Sequence, residues 1–157
     1  METSQNLLVN VARLWRMLNK SESFYKTMMS IEELGSIRKL CSQGHMTSVL
    51  FKKELCSVYD YNRCYLHDPD LNHVTVDVNV DDIISNRKNP DVIISLIIEQ
   101  YDKVLECYQN VLVHLDEQSN LAKLLHEHMD VLSSRKELLY NEMNNPGNPE
   151  LSTLHVA

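Results

Sequence analysis

The sequence predicts an all-α fold, a four-helix bundle made of two antiparallel hairpins joined by one long crossover. Two apolar stripes at helical spacing carry that prediction. Ile94, Ile98, Tyr101, Leu105, Tyr108, Leu112 and Leu115 recur every three or four residues, which lines one face of a helix. After a polar break at 116–120, Leu121, Leu125, His128, Leu132, Arg135 and Leu139 repeat the spacing, with His128 and Arg135 inside the stripe. The third observation is composition. Only 3 glycines and 4 prolines occur in 157 residues, too few for the many turns of a sandwich or barrel.

The first helix is expected from about residue 5 to 29. Leu7, Val11, Leu14, Leu18, Tyr25 and Met29 form its stripe, and Glu22 takes the missing step between Leu18 and Tyr25. Ser30 followed by Glu33 has the capping-box spacing and predicts the start of the second helix. Its inner face carries Leu34, Ile37, Cys41, Ser48, Phe51, Leu55 and Val58. Gly35 and Gly44 weaken this helix, since interior glycine costs up to about 1 kcal/mol against alanine. The small residues Cys41, Gly44 and Ser48 leave room for a large side chain opposite, such as Trp15 or Tyr101.

Residues 60–89 read as the crossover. Asp60-Tyr-Asn-Arg and His67-Asp-Pro-Asp are turn chemistry, and Val74, Val76, Val78 and Val80 alternate with polar residues as in a strand. Asn89 and Pro90 then supply the cap and first residue of the third helix. Asn144-Asn-Pro-Gly-Asn-Pro ends the fourth, leaving residues 1–143 as the bundle and 144–157 as an expected flexible tail.

Composition bounds the function. A net charge of −7 without clustered Lys and Arg argues against nucleic acid as a partner. No run of roughly eighteen apolar residues occurs, so no membrane span is expected. The opening Met1-Glu-Thr-Ser-Gln-Asn lacks a basic region followed by an apolar block. With four cysteines (Cys41, Cys56, Cys64, Cys107) and no CxxC pair, the expected compartment is a reducing cytoplasm.

Several local patterns resemble sites only in part. Asp77-Val-Asn-Val-Asp81 imitates the opening of a calcium loop, but Asp82 replaces the glycine and Lys88 the closing glutamate. Cys56, Cys64, His67 and His73 match no compact zinc-finger spacing. His126 and Asp130, four apart, suit a solvated helix face. No serine elbow, cysteine–base arrangement or glycine-rich phosphate loop is found. Tyr101 and Tyr108 read as core rings with satisfied hydroxyls.

The order and spacing of Glu22-Ser-Phe-Tyr25, Phe51-Lys-Lys-Glu-Leu55 and Asp102-Lys-Val-Leu-Glu-Cys-Tyr108 resemble the ferritin-like superfamily. The nearer likeness is to its small bacterial branch of stress-associated domains, and it spans most of residues 6–142. That resemblance implies a di-metal centre built from a Glu on each of two helices and a Glu-x-x-His on each of the others. Bridging carboxylates would neutralise two hard cations and imidazoles would complete their coordination.

Against that set, Glu22 matches the first-helix carboxylate, and His45 is the second helix's candidate between residues 41 and 50. The third helix has Tyr101 at the inward step, with Glu99 and Glu106 off the stripe. The fourth has Glu127-His-Met-Asp130, with His128 inward. Two readings follow. One is a non-catalytic, stress-associated or interaction protein whose di-metal site is degenerate or absent, partnered by a second copy or another protein. The other is an iron or manganese protein using Glu22, His45, Glu106 and His128 for iron storage or peroxide-linked oxidation. Under the first reading Glu22 and His128 are polar core residues that need partners, with Arg135, His128 and Tyr101 the candidates for Glu22.

Overall fold

A computed structural model of the protein describes residues 2–65 and 80–144. Among these residues every regular element is helical. The order is α1 (Glu2–Met29), a 3-10 turn (Glu32–Leu34), α2 (Ile37–Arg63), α3 (Val80–Ser85), α4 (Pro90–Leu112) and α5 (Asn120–Asn144).

The four long helices form because each carries one apolar stripe that must leave water. Leu14, Leu18 and Met28 of α1 meet Ile93, Ile97 and Val111 of α4 in one continuous core, all at 2% exposure or less. Each such side chain contributes about 1.5–3 kcal/mol on burial. On α5, Leu125, His128, Leu132 and Leu139 are buried while Leu121 and Arg135 are half-buried, so the expected stripe faces inward. The α4 face is rotated slightly from its expected centre. Ile97, Gln100, Val104 and Val111 are buried, whereas Leu105 and Leu112 lie at its edge.

One start differs from expectation, and neither expected cap bond forms. Ser30 does not open the second helix. Its hydroxyl donates to the Thr27 carbonyl at 2.6 Å and closes α1, where Arg38 Nε also reaches the Met29 carbonyl at 2.9 Å. Gly35, at φ +54°, then turns the chain, and α2 begins at Ile37. Only glycine adopts that backbone cheaply, so Gly35 makes the corner rather than weakening a helix interior. Asn89 lends α4 its carbonyl, which accepts from Ile93 N–H at 3.2 Å, but its side chain makes no cap bond. Pro90 is the first helical residue, as read.

The crossover also departs from a simple connection. α2 runs on to Arg63, and α3 forms within it, seating Ile83 at 1% exposure in the core. Of the alternating valines only Val80 is described, and it opens α3 rather than a strand. Val74, Val76 and Val78 lie outside the described residues, as do residues 145–157.

Cross-bonds set the helix directions. Gln100 of α4 reaches Ser21 of α1, and Val111 meets Val11, so α1 and α4 are antiparallel. Gln43 and Glu54 of α2 reach Arg135 and His128 of α5, so those two are antiparallel as well. With the α1–α2 and α4–α5 hairpins, α2 and α4 therefore run parallel on one diagonal. α1 and α2 share the most extensive seam, and α2 and α5 the sparsest.

Candidate functional site

The strongest candidate is a hydrogen-bonded chain centred on His128. Its inward step between Leu125 and Leu132 holds the imidazole in the core. Nδ1 lies 2.8 Å from the Tyr108 hydroxyl and Nε2 lies 3.1 Å from Glu54 Oε2. Phe51 stacks on the ring at 3.7 Å between centroids, with planes 3° apart.

The partners decide the proton positions. A carboxylate only accepts, so Nε2 carries the hydrogen given to Glu54, and Nδ1 accepts from the Tyr108 O–H. Burial pushes the His128 pKa below the ordinary 6.5, with Glu54 opposing it, so the neutral ring is favoured. Burial also pushes the Tyr108 phenol well above its ordinary value, reinforced by Glu54 and Cys107, which keeps it a donor. The chain links a fully buried phenol to a carboxylate that is 36% exposed. The nearby core cavity is about 10 Å³, lined by Val11, Leu14, Trp15, Leu55, Val111 and Leu125 among others.

Glu22 sits elsewhere. It is half-buried between α1 and α2, ion-paired with Lys52, whose ammonium also donates to Asn19 Oδ1 at 3.1 Å. A partly exposed pair of this kind contributes only about 0–1 kcal/mol. Its partner is thus neither Arg135, His128 nor Tyr101. His45 is beside Glu22 but bonds its backbone, with Nδ1 3.0 Å from the Glu22 carbonyl. Arg135 bonds Gln43 across the α2–α5 seam. Glu106 is exposed on α4, where its charge adds to burial in raising the Cys107 thiol to about 11. Glu22 and His45 therefore share the α1–α2 groove, His128 lies at the α2–α5 seam, and Glu106 faces outward. Among the described residues no three His, Cys, Asp or Glu side chains come together as a metal would require.

Further polar groups are satisfied in pairs. The Tyr25 and Tyr101 rings are tilted against each other at 5.9 Å, and burial raises Tyr101 to about 12. Gln100 Nε2 donates to Ser21 Oγ at 2.9 Å, both groups buried. Sequence reasoning missed Gln100, Ser21 and Glu54. A stripe drawn through Ile97, Gln100, Val104 and Val111 would have turned Gln100 inward, whereas nothing local marks Glu54 as a partner for His128.

The remaining patterns are soon placed. All four cysteines are free, and the buried Cys41 thiol is raised to about 12 by desolvation. Cys56 is exposed on α2 and Cys64 is exposed just past its C-terminus, while His67 and His73 lie outside the described residues. Of the calcium-like pattern only Val80 and Asp81 are described, in the first turn of α3. His126 and Asp130 are exposed on α5. No described helix is long and apolar enough to cross a membrane.

No protein-family model, curated protein or solved structure matches this chain.

Proposed function

We propose that the protein is a non-catalytic bundle of ferritin-like layout that acts through its surface on another protein chain or a second copy of itself. One observation carries this reading. The two inward residues that a metal centre would recruit first are already engaged: Lys52 holds the Glu22 carboxylate, while Tyr108 and Glu54 take both ring nitrogens of His128. An imidazole ligand must offer a lone pair to the ion. Here the Nδ1 lone pair receives the Tyr108 proton, and Nε2 bears the hydrogen bound by Glu54. Recruiting His128 would leave the buried Tyr108 hydroxyl unmatched, a cost of about 1–3 kcal/mol, whereas recruiting Glu22 would give up only its partly exposed pair with Lys52. The stress-associated role follows from the resemblance alone, and four free thiols fit a reducing cytoplasm.

The alternative reading is a protein for iron storage or peroxide-linked oxidation, binding iron or manganese through Glu22, His45, Glu106 and His128. Elemental analysis of the full chain purified without chelator separates the two. We expect iron and manganese well below stoichiometric, and a melting temperature that does not move when either ion is added. Stoichiometric metal that disappears in Glu22→Ala or His128→Ala would overturn the proposal.

A further inference from the structure

We propose that the face formed by α2 and α5 binds a second copy of this chain, about a two-fold axis running parallel to the helices. The inference rests on the reading that the protein acts through its surface, and it names the surface, the partner and the symmetry.

The face is set apart by what it leaves in water. Met46 and Leu50 of α2 are 68% and 52% exposed, one helical turn apart, and Val131 of α5 is 39% exposed. Val131 lies between His128 and Arg135, the two residues that reach across to α2. These apolar groups therefore flank the α2–α5 seam, which is also the sparsest of the bundle. These three side chains form a short apolar strip along the seam, and exposed apolar surface rimmed by charged residues is a mark of an interface.

Charge selects the occupant. Lys39 and Lys53, both exposed, bracket Met46 and Leu50 along α2. Glu127 and Asp130, also exposed, border Val131 on α5. Beside them Glu54 is exposed on α2 and Lys123 on α5. Two lysines against one carboxylate on one ridge thus face two carboxylates against one lysine on the other, and the face is complementary to itself.

Symmetry then selects the arrangement. The Gln43–Arg135 and Glu54–His128 bonds place Leu50 level with Val131 and Lys53 level with Glu127. Rotation about an axis parallel to the helices lays α2 antiparallel on the partner's α5 at the same level. Leu50 then meets the partner's Val131 and Lys53 meets the partner's Glu127, each contact occurring twice as an isologous interface demands. Rotation about the perpendicular axis in the same plane would instead set the lysine-rich ridge on itself and the carboxylate-rich ridge on itself, which like charges oppose.

Sedimentation equilibrium on the full chain tests this with exposed-residue variants that leave the core intact. The wild type is expected to dimerise in the micromolar range. Lys53→Glu and Glu127→Lys should each weaken the dimer roughly tenfold, and the double reversal should restore it to within about threefold. Leu50→Glu should abolish it.

Three results would overturn the proposal. One is a wild type that stays monomeric to hundreds of micromolar. Another is a dimer indifferent to both reversals, and a third is one that the double reversal fails to restore. Oxidation of Met46 by peroxide identifies the occupant where the chain is monomeric. A protected Met46 would assign the face to residues 145–157 of the same chain, and a reactive one would leave it open to a different protein. Either outcome sinks the two-fold. A metal-free monomer would defeat this interface alone and leave the surface reading standing, whereas stoichiometric metal would defeat that reading first.

Discussion

The ring of Tyr25 lies on the bare backbone of Gly44, where an added methyl would meet Tyr25 Cζ at 2.9 Å. The ring has nowhere to go. Phe24 stands edge-on at 5.3 Å, Tyr101 is tilted against it at 5.9 Å, and Tyr25 itself is 2% exposed. This glycine is what lets α1 and α2 approach so closely.

Gly44→Ala therefore sets two effects against each other. Helix propensity favours alanine by about 1 kcal/mol, while overpacking costs about 1–3 kcal/mol. Because the neighbour is a confined ring, overpacking should win, lowering the melting temperature by a few degrees, about 2–4 °C per kcal/mol. In a Tyr25→Leu background the same substitution should raise it. Thermal melts of the four proteins check the reversal of sign, and a Gly44→Ala substitution with the same effect in both backgrounds would refute the contact.

His128 predicts how stability depends on pH. Burial holds its folded pKa below the ordinary 6.5. Between those two values the unfolded chain binds more protons than the folded one, so stability rises with pH across that window. The contribution is complete above about pH 6.5 and is lost as pH falls through the folded value. Urea unfolding from pH 8 to pH 5 should show the decline, and His128→Gln should flatten it. Equal slopes in the two proteins would mean that the ring is not held neutral.

Two serines separate a working cap from an apparent one. Ser119 Oγ accepts from Ala122 N–H at 3.1 Å at the start of α5. Ser119→Ala should thus cost about 1 kcal/mol. Ser30, whose hydroxyl turns back to Thr27, makes no such bond to α2, and Ser30→Ala should cost less than about 0.5 kcal/mol. Denaturant midpoints measure both. If the two costs came out in the opposite order, the assignment of the α1–α2 corner would fall.

Much of the architecture was legible in one dimension. Leu14, Leu18, Phe51, Leu55, Ile94, Tyr108, Leu125 and Leu132 are all buried, each at a step the apolar period marks as inward. The α3 helix was not legible, because six residues carry too little period to compete with the turn chemistry around them. The small residue at 44 was expected to admit a large neighbour, and it does. The neighbour is Tyr25 rather than Trp15, which stacks on Tyr59 at 4.3 Å with planes 9° apart, or Tyr101, which is tilted against Tyr25.

The candidate site was legible only in half. Glu22 and His128 stand out as polar residues on apolar stripes, yet their partners Lys52, Glu54 and Tyr108 come from other helices. Which residues meet depends on the register and rotation of one rod against another. Sequence spacing does not encode either.

By itself the chain determined that it would fold as helices, where most of them begin and which faces turn inward, since helical period and Pro90 act over a few neighbouring residues. Tertiary structure alone decided that Glu22 answers to Lys52 and that His128 bridges Tyr108 and Glu54. The reason is physical. A buried polar group takes whichever complement the packed helices bring within about 3 Å, and only packing sets that distance.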